Sequence, residues 1–274
     1  MSEKSKISII GCGWLGLPLA AHLVKIGHFV CGTVTQKEGF YKLLDAGIKP
    51  FQLHLSEETQ LLPELSSIFW ESDIFILTLP PKNPETYPNS IQLVLSVLKA
   101  QKRNLWLLYT SSTGVYGKGL GLINEKSECN PDRPSSAAVL KVEKLIQNAS
   151  EHIEYSILRL AGLVGGERQP GRFFAGKKNL DSGSSPVNLI HLEDCIAVIS
   201  SLLEKNIRPA LLNVCATEHP VHRDFYPIQA IKLGLEPPTY GIDNPGTDYK
   251  IIDNGLLINL LEYSFLFPDP LEFP

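Results

Sequence analysis

The sequence predicts an α/β protein built on a doubly wound parallel sheet, and three observations predict it. A short apolar run near the start (Ile7, Ile9, Ile10) meets Gly11, Gly13 and Gly16 in the pattern G-x-G-x-x-G, and a helical pattern follows at once. Two later runs, Asp73-Ile-Phe-Ile-Leu-Thr-Leu and Leu105-Trp-Leu-Leu-Tyr, are almost continuously apolar, as strands buried on both faces are. Segments with helical spacing separate these runs, and strands alternating with helices in this way build parallel sheets. The right-handed crossover rule then leaves few topologies.

The first strand, the glycine turn and a helix carrying Leu15, Leu19, Leu23 and Ile26, closed by Gly27, form one unit. Gly11 allows a tight turn, Gly13 lets the backbone approach a pyrophosphate, and Gly16 lets the helix pack closely on the strand. The helix then directs its unpaired N–H groups at the phosphates. Gly11, Cys12, Gly13, Trp14, Leu15 and Gly16 are therefore candidate cofactor residues, against the plainer alternative of a glycine turn that only packs a helix on a sheet. His28 to Val34 reads as strand two. In a dinucleotide fold its end meets the adenosine ribose, where an acid favours NAD. Here Thr35, Gln36 and Lys37 precede the first acid, Glu38, which slightly favours NADP over NAD, although Lys37 also reads as an ordinary surface lysine.

Tyr41 to Ala46 reads as a helix, ended by Gly47, and Lys49 to Leu53 as strand three. The run from Asp73 stops at Pro80-Pro81, which places Leu79 and Pro80 where a strand end opens on the cofactor. Ser90 to Ala100 carries Ile91, Val94, Leu95 and Leu98 at helical spacing, and Leu105 to Tyr109 is the fifth strand. It runs into Thr110-Ser-Ser-Thr-Gly-Val-Tyr-Gly, hydroxyl residues at the end of the sheet where open α/β folds bind ligands. Ser111 is assigned there to the cofactor, and Ser112 and Thr113 to a substrate carbonyl or alcohol. A serine-rich turn closing a strand is the alternative. Farther on, Glu193 to Leu203 and Arg223 to Leu233 read as helices, Leu211 to Cys215 as a strand, and about 165 to 186 as a loop or lid. Arg168, Arg172, Lys177 and Lys178 give that loop a positive cast suited to the phosphates of a nucleotide-linked ligand.

Bulk properties narrow the class. The 274 residues fit one large domain or two intimate ones, and 43% hydrophobic with 20% charged residues suits a compact soluble chain. A net charge of −4 gives no basic footprint for nucleic acid. Five scattered cysteines without a C-x-x-C pair argue against disulfides and against a metal site, and suit a reducing cytosol. The start, Met-Ser-Glu-Lys-Ser-Lys, leaves no room for a signal peptide, and no apolar run approaches the roughly 18 residues of a membrane helix. A cytoplasmic protein with a small-molecule substrate and no membrane partner is expected.

The Thr110-Ser-Ser-Thr-Gly-Val-Tyr-Gly stretch resembles the strand-five motif of the extended short-chain dehydrogenases/reductases, the nucleotide-sugar epimerase and dehydratase superfamily. Ile157-Leu-Arg-Leu-Ala-Gly-Leu-Val-Gly-Gly is similar to its sixth strand. Gly171-Arg-Phe-Phe-Ala-Gly-Lys, Val187-Asn-Leu-Ile-His-Leu-Glu-Asp, His219-Pro, Phe225-Tyr-Pro and Lys250-Ile-Ile-Asp, with Tyr263 to Pro270, resemble the atypical YeeZ-like branch. The resemblance implies an NAD(P)-binding Rossmann-type domain over 1–164, which also receives elements from about 187–215. A smaller substrate-side part over 165–274, not independently folding, completes it. It also implies Ser112 as the catalytic hydroxyl and a tyrosine four residues before a lysine on the following helix. Relatives commonly pair two helices from each subunit into a four-helix bundle, which makes a homodimer possible and leaves the oligomeric state open.

Here the pattern breaks. If Lys141 is that lysine, the tyrosine position holds Ala137, which cannot exchange a proton. Tyr116 and His191 are substitute acids, the latter also suited to capping the helix it precedes. Arg172 and His191 are further substrate candidates. Arg159, inside a strand, reads as part of a structural ion pair, and Lys141 also reads as a solvent-facing residue beside Glu143 and Lys144. Two functions compete: an NAD(P)-dependent oxidoreductase or epimerase acting on a nucleotide-linked sugar, and a catalytically silent nucleotide-binding sensor or scaffold. A third, weaker reading is a hydroxyacid-dehydrogenase type of enzyme, because Ile10-Gly-Cys-Gly-Trp-Leu-Gly followed by Gly27-His28 also resembles that family.

Overall fold

Ile7, Ile9 and Ile10 are fully buried, and the strand that they form lies within a seven-stranded parallel sheet. The computed structural model describes residues 4–55, 67–149, 153–208, 210–243 and 249–274. The chain runs β1 (Lys6–Ile10), α1 (Gly16–Lys25), β2 (Phe29–Val34), α2 (Lys37–Asp45), β3 (Lys49–Gln52), α3 (Ser67–Trp70) and β4 (Ile74–Leu77). It continues with α4 (Tyr87–Ala100), β5 (Leu105–Ser112), β6 (Leu120–Ile123), α5 (Pro134–Gln147), β7 (Ile153–Leu160) and β8 (Gly162–Val164). The last part holds β9 (Leu189–His191), α6 (Leu192–Lys205), β10 (Ala210–Val214), α7 (His222–Lys232), β11 (Tyr249–Ile252) and α8 (Gly255–Leu261).

The main sheet has the order β10-β7-β5-β4-β1-β2-β3, with every pair parallel. The winding reverses between β1 and β4, so the carboxyl ends of these strands flank the crevice where doubly wound sheets bind ligands. α1 packs beside α6 and α4 beside α5, and right-handed crossovers in opposite directions put α1 and α4 on opposite faces. The apolar runs behave as expected: all four residues of β4 are buried, as are Leu105 to Tyr109 in β5. Polar groups inside the sheet are paired. Ser8 donates to the Phe69 carbonyl (2.7 Å), and the Trp106 indole donates to Ser156 (3.0 Å).

Two short parallel ladders stand apart from the main sheet, β6 with β11 and β8 with β9. A second apolar cluster, which includes Val164, Val187, Leu189, Phe225, Tyr226 and Phe273, gathers beside them. Within the stretch 165–186 the regular structure is a single 3-10 turn, Pro170–Arg172. The five cysteines are free thiols, and no helix among the described residues is long and apolar enough to cross a membrane.

Candidate functional site at the carboxyl ends of β1, β4 and β5

The glycine corner is built by contacts that leave three glycines with three different roles. Gly11 sits at φ +105°, and a Cβ there would lie 2.8 Å from the Leu79 side chain. At Gly16 a Cβ would lie 2.3 Å from the Gly11 carbonyl oxygen and 2.7 Å from Thr78 Oγ1, so α1 can start against β1 only without a side chain. At Gly13 a Cβ would meet nothing within 4 Å. That side of the backbone is exposed and open.

Hydrogen bonds fix the corner from both neighbouring strands. Thr33 of β2 accepts from Gly11 N–H through its hydroxyl (3.0 Å) and from Cys12 N–H through its carbonyl (2.8 Å). Thr78, just past β4, donates to the Gly11 carbonyl (2.6 Å). Tyr87 of α4 donates to the Leu79 carbonyl (3.0 Å), and its oxygen lies 3.1 Å from that of Tyr109. No side chain caps α1, and at its start Leu17 N–H is bonded to the Gly13 carbonyl (3.0 Å), Gly13 N–H to the Gly11 carbonyl (2.7 Å), and Pro18 has no N–H. The Cys12 thiol is buried, which pushes its pKa up to about 12, and Cys12 offers the site only its backbone. Trp14 brings an indole Nε1 that is buried without a partner and lies 4.0 Å from where a Cβ of Gly166 would stand. An anionic dinucleotide fits this frame, because the Cβ side of Gly13 is open, no side chain caps the helix start and the Trp14 indole N–H has no partner.

Thr35, Gln36 and Lys37 follow β2 and are exposed. Gln52 donates to the Thr35 carbonyl (3.0 Å), and α2 begins at Lys37, earlier than the apolar pattern suggests. Leu79 packs on Gly11 and Pro80 is exposed beside it.

At the end of β5, half-buried Ser112 accepts from Gly114 N–H (3.1 Å) and caps the 3-10 turn Thr113–Tyr116, in which Thr113 is buried. A Cβ at Gly114 would lie 3.2 Å from Ser112 Oγ and 2.7 Å from Ser136 Oγ. Two hydroxyls, from β5 and α5, thus meet across one glycine. Ser136 is a neighbour that the sequence did not single out. Ala137 and Lys141 lie one turn apart on the exposed face of α5.

Tyr116 takes a different place. It is 4% exposed, donates to Asn213 Oδ1 (2.8 Å) and accepts from the Arg159 guanidinium (2.9 Å). Burial pushes its phenol above the ordinary tyrosine value, and Arg159 only partly opposes this. Arg159 is paired twice with Glu143 (2.7 and 3.0 Å), and Ser111 donates its hydroxyl to the same carboxylate. Burial alone would lower the Arg159 pKa, yet the Glu143 contacts hold it above the ordinary value. Arg159 is thus the ion-pair residue that its position in a strand suggested. Its partner, however, lies on α5 two residues after Lys141, which reads as solvent-facing. Glu143 faces the sheet because α5 turns its Val139–Val142–Ile146 side inward, and the exposed positions fall to Lys141 and Lys144.

His191 caps α6, with its Nδ1 accepting from Glu193 N–H (3.4 Å). Its ring lies 4.5 Å from that of Phe267 and 5.6 Å from that of Phe273. Arg172 is exposed on the 3-10 turn whose Gly171 packs against the Gln229 backbone of α7. Among the described residues no group of three or more His, Cys, Asp and Glu is placed to hold a metal.

Burial lowers the pKa of His191, His219 and His28 below the ordinary imidazole range. Each binds its proton less readily in the folded than in the unfolded chain. The stability involved is full above the unfolded value and is lost as pH falls through it toward the depressed folded value. The urea midpoint is therefore expected to drop between about pH 7.5 and 5.5, and less so in His219→Asn. A midpoint that rises over that interval would reverse the assignment.

Comparisons with known proteins agree with this geometry. The model of the NAD-dependent epimerase/dehydratase family matches residues 9–215. Protein YeeZ of Escherichia coli (strain K12) is 37% identical over 273 residues, covering 98% of each chain. The UDP-glucuronic acid 4-epimerase of Bacillus cereus, solved in complex with NAD, superposes with a TM-score of 0.78 at 21% identity, covering 97% of this chain and 96% of that one. The UDP-Glc/GlcNAc 4-epimerase of Campylobacter jejuni gives 0.78 at 16% identity, with 97% and 96% covered.

Proposed function

This chain belongs to the NAD-dependent epimerase/dehydratase family, in the YeeZ-like branch of the extended short-chain dehydrogenases/reductases, and from that premise we propose that it binds NAD(P) at the glycine corner and acts on a nucleotide-linked sugar or similar small molecule. The observation that carries the reading is the asymmetry of the corner. Gly11 and Gly16 are filled on their Cβ sides by the protein's own atoms, whereas Gly13 is open. A turn that served only to pack a helix has no need of that third glycine. NADP is the preferred form, because exposed Thr35, Gln36 and Lys37 end β2 and no acid comes before Glu38.

Bound there, NAD(P) supplies hydride transfer at a carbon that bears a hydroxyl or carbonyl. The chain's part is to hold that oxygen, and Ser112 is the residue for it, with Ser136 across Gly114 as its support. The oxygen's proton is exchanged with water rather than with a phenol. Tyr116 is held by Arg159 and Asn213 with its pKa raised, and Ala137 stands where the family resemblance puts the tyrosine. The absence of a phenol at that position also favours a second reading, a catalytically silent nucleotide-binding protein.

Turnover separates the two. The protein is mixed with NADP or NAD and a series of UDP-linked sugars, and the near-ultraviolet absorbance of reduced nicotinamide and the sugar's stereochemistry are followed. Conversion that survives Tyr116→Phe and slows in Ser112→Ala is expected. Cofactor binding without conversion of any sugar would leave the silent reading.

A further inference from the structure

Four cations give the loop after β8 its positive cast, and the structure separates them. Lys178 is paired with Glu236 (2.6 Å), Lys177 lies over the Phe174 ring, and Arg172 stands on the turn packed against α7. Arg168 alone among them reaches the glycine corner, with its guanidinium centre 4.3 Å above the ring of Trp14. It is exposed, and no carboxylate among the described residues pairs with it.

The arm that carries Arg168 is firmly built. Gly165 and Arg168 bridge each other with reciprocal backbone hydrogen bonds of 3.1 Å, around the two-residue turn Gly166-Glu167. Gly165 (φ +115°) and Gly166 (φ +55°) supply backbone shapes that other residues rarely adopt. Gln169 donates to the Gly166 carbonyl (2.8 Å) and closes the turn from behind. A Cβ at Gly165 would lie 2.7 Å from His191 Nε2, so the turn is seated directly on the residue that caps α6. At its tip the turn covers the Trp14 indole, whose buried Nε1 has no acceptor. The Arg168 guanidinium, with no carboxylate partner, and the orphan N–H of Trp14, the residue after Gly13, are donors in search of the same kind of acceptor.

We propose that the turn from Gly165 to Arg168 is the second wall of the cofactor site, and that Arg168 moves from the face of Trp14 onto the cofactor's pyrophosphate. The proposal rests on the NAD(P) reading above and assigns that reading a contact outside the glycine motif. The chemistry suits the geometry. Arginine stacks readily on an aromatic face and presents a planar fork that matches phosphate oxygens. Stacking on Trp14 keeps the side chain at the mouth of the site while the cofactor is away, so less freedom is lost when it closes on the phosphates.

The test is a set of titrations with NADPH, ADP-ribose and adenosine on the wild type, Arg168→Ala and Arg168→Lys. ADP-ribose keeps the pyrophosphate and adenosine lacks it. Arg168→Ala is expected to weaken NADPH and ADP-ribose by about tenfold or more, the size of one hydrogen bond to a charged group, and to leave adenosine unchanged. Arg168→Lys is expected to recover part of the loss and to flatten less of the salt dependence. Unaltered NADPH affinity in Arg168→Ala, with the wild type binding, would overturn this proposal and leave the NAD(P) reading standing. A wild type that binds neither NADPH nor NAD would overturn both. Because Arg168 is exposed, an unchanged unfolding midpoint is expected of both variants.

Discussion

Gly13→Val is expected to abolish cofactor binding while leaving the thermal midpoint of the cofactor-free protein close to that of the wild type. The two halves of this result have separate causes. A Cβ at residue 13 meets nothing within 4 Å, and the backbone there is not in the left-handed region, so the folded chain accepts the side chain without strain. The same side chain fills the space in which a pyrophosphate approaches the backbone. Gly16→Ala provides the contrast. Its Cβ would lie 2.3 Å from the Gly11 carbonyl oxygen, so α1 must move off β1 and the cofactor-free protein itself loses stability. A Gly13→Val protein that binds NADPH or NAD as tightly as the wild type would contradict the assignment.

Glu143→Ala is expected to cost about 3–5 kcal/mol of folding stability, as is usual when one partner of a buried ion pair is removed. Glu143 is 1% and Arg159 is 5% exposed, and the truncation leaves the guanidinium without a counter-charge among buried groups. It also strips Ser111 of its acceptor. The milder Tyr116→Phe removes one hydrogen-bonding oxygen and is expected to cost about 1 kcal/mol. Converting both Glu143 and Arg159 to methionine is expected to recover much of the single-variant loss, because no unpaired charge then remains. Urea unfolding checks all three. A loss below about 1 kcal/mol in Glu143→Ala would mean that water, not Glu143, balances Arg159.

The sheet was legible where burial on both faces leaves an unbroken apolar run. Strands β4 and β5 announce themselves in this way, and β1 by three isoleucines interrupted by the buried Ser8. Short ladders do not. β6 is Leu-Gly-Leu-Ile and finds its partner, β11, far along the chain, so neither local pattern nor turn chemistry marks it. α8 went unread because Gly255–Leu261 is only two turns long, although Leu257 and Leu261 are buried four residues apart. The glycine corner was legible as a motif, but the parts that hold it in place were not. Thr33, Thr78 and Tyr87 act through contacts made by three different elements, and nothing in their local sequence gives those partners. The capping role considered for His191 matches the hydrogen bond it receives from Glu193. Tyr116 and Ser111, read toward the ligand, have hydroxyls engaged by the Arg159 and Glu143 pair, which only the packing of α5 on β5 and β7 brings together.

The most direct measurement is thermal unfolding of the purified protein alone and with NAD, NADH, NADP and NADPH, each in turn. A ligand present at 100 times its dissociation constant adds about 2.7 kcal/mol to the folded state, a shift in midpoint that is readily seen. The expected result is a clear rise with the nicotinamide dinucleotides, larger for the NADP forms, that Gly13→Val eliminates. Midpoints unchanged by all four at millimolar concentration would show that the glycine corner serves only to pack α1 against β1.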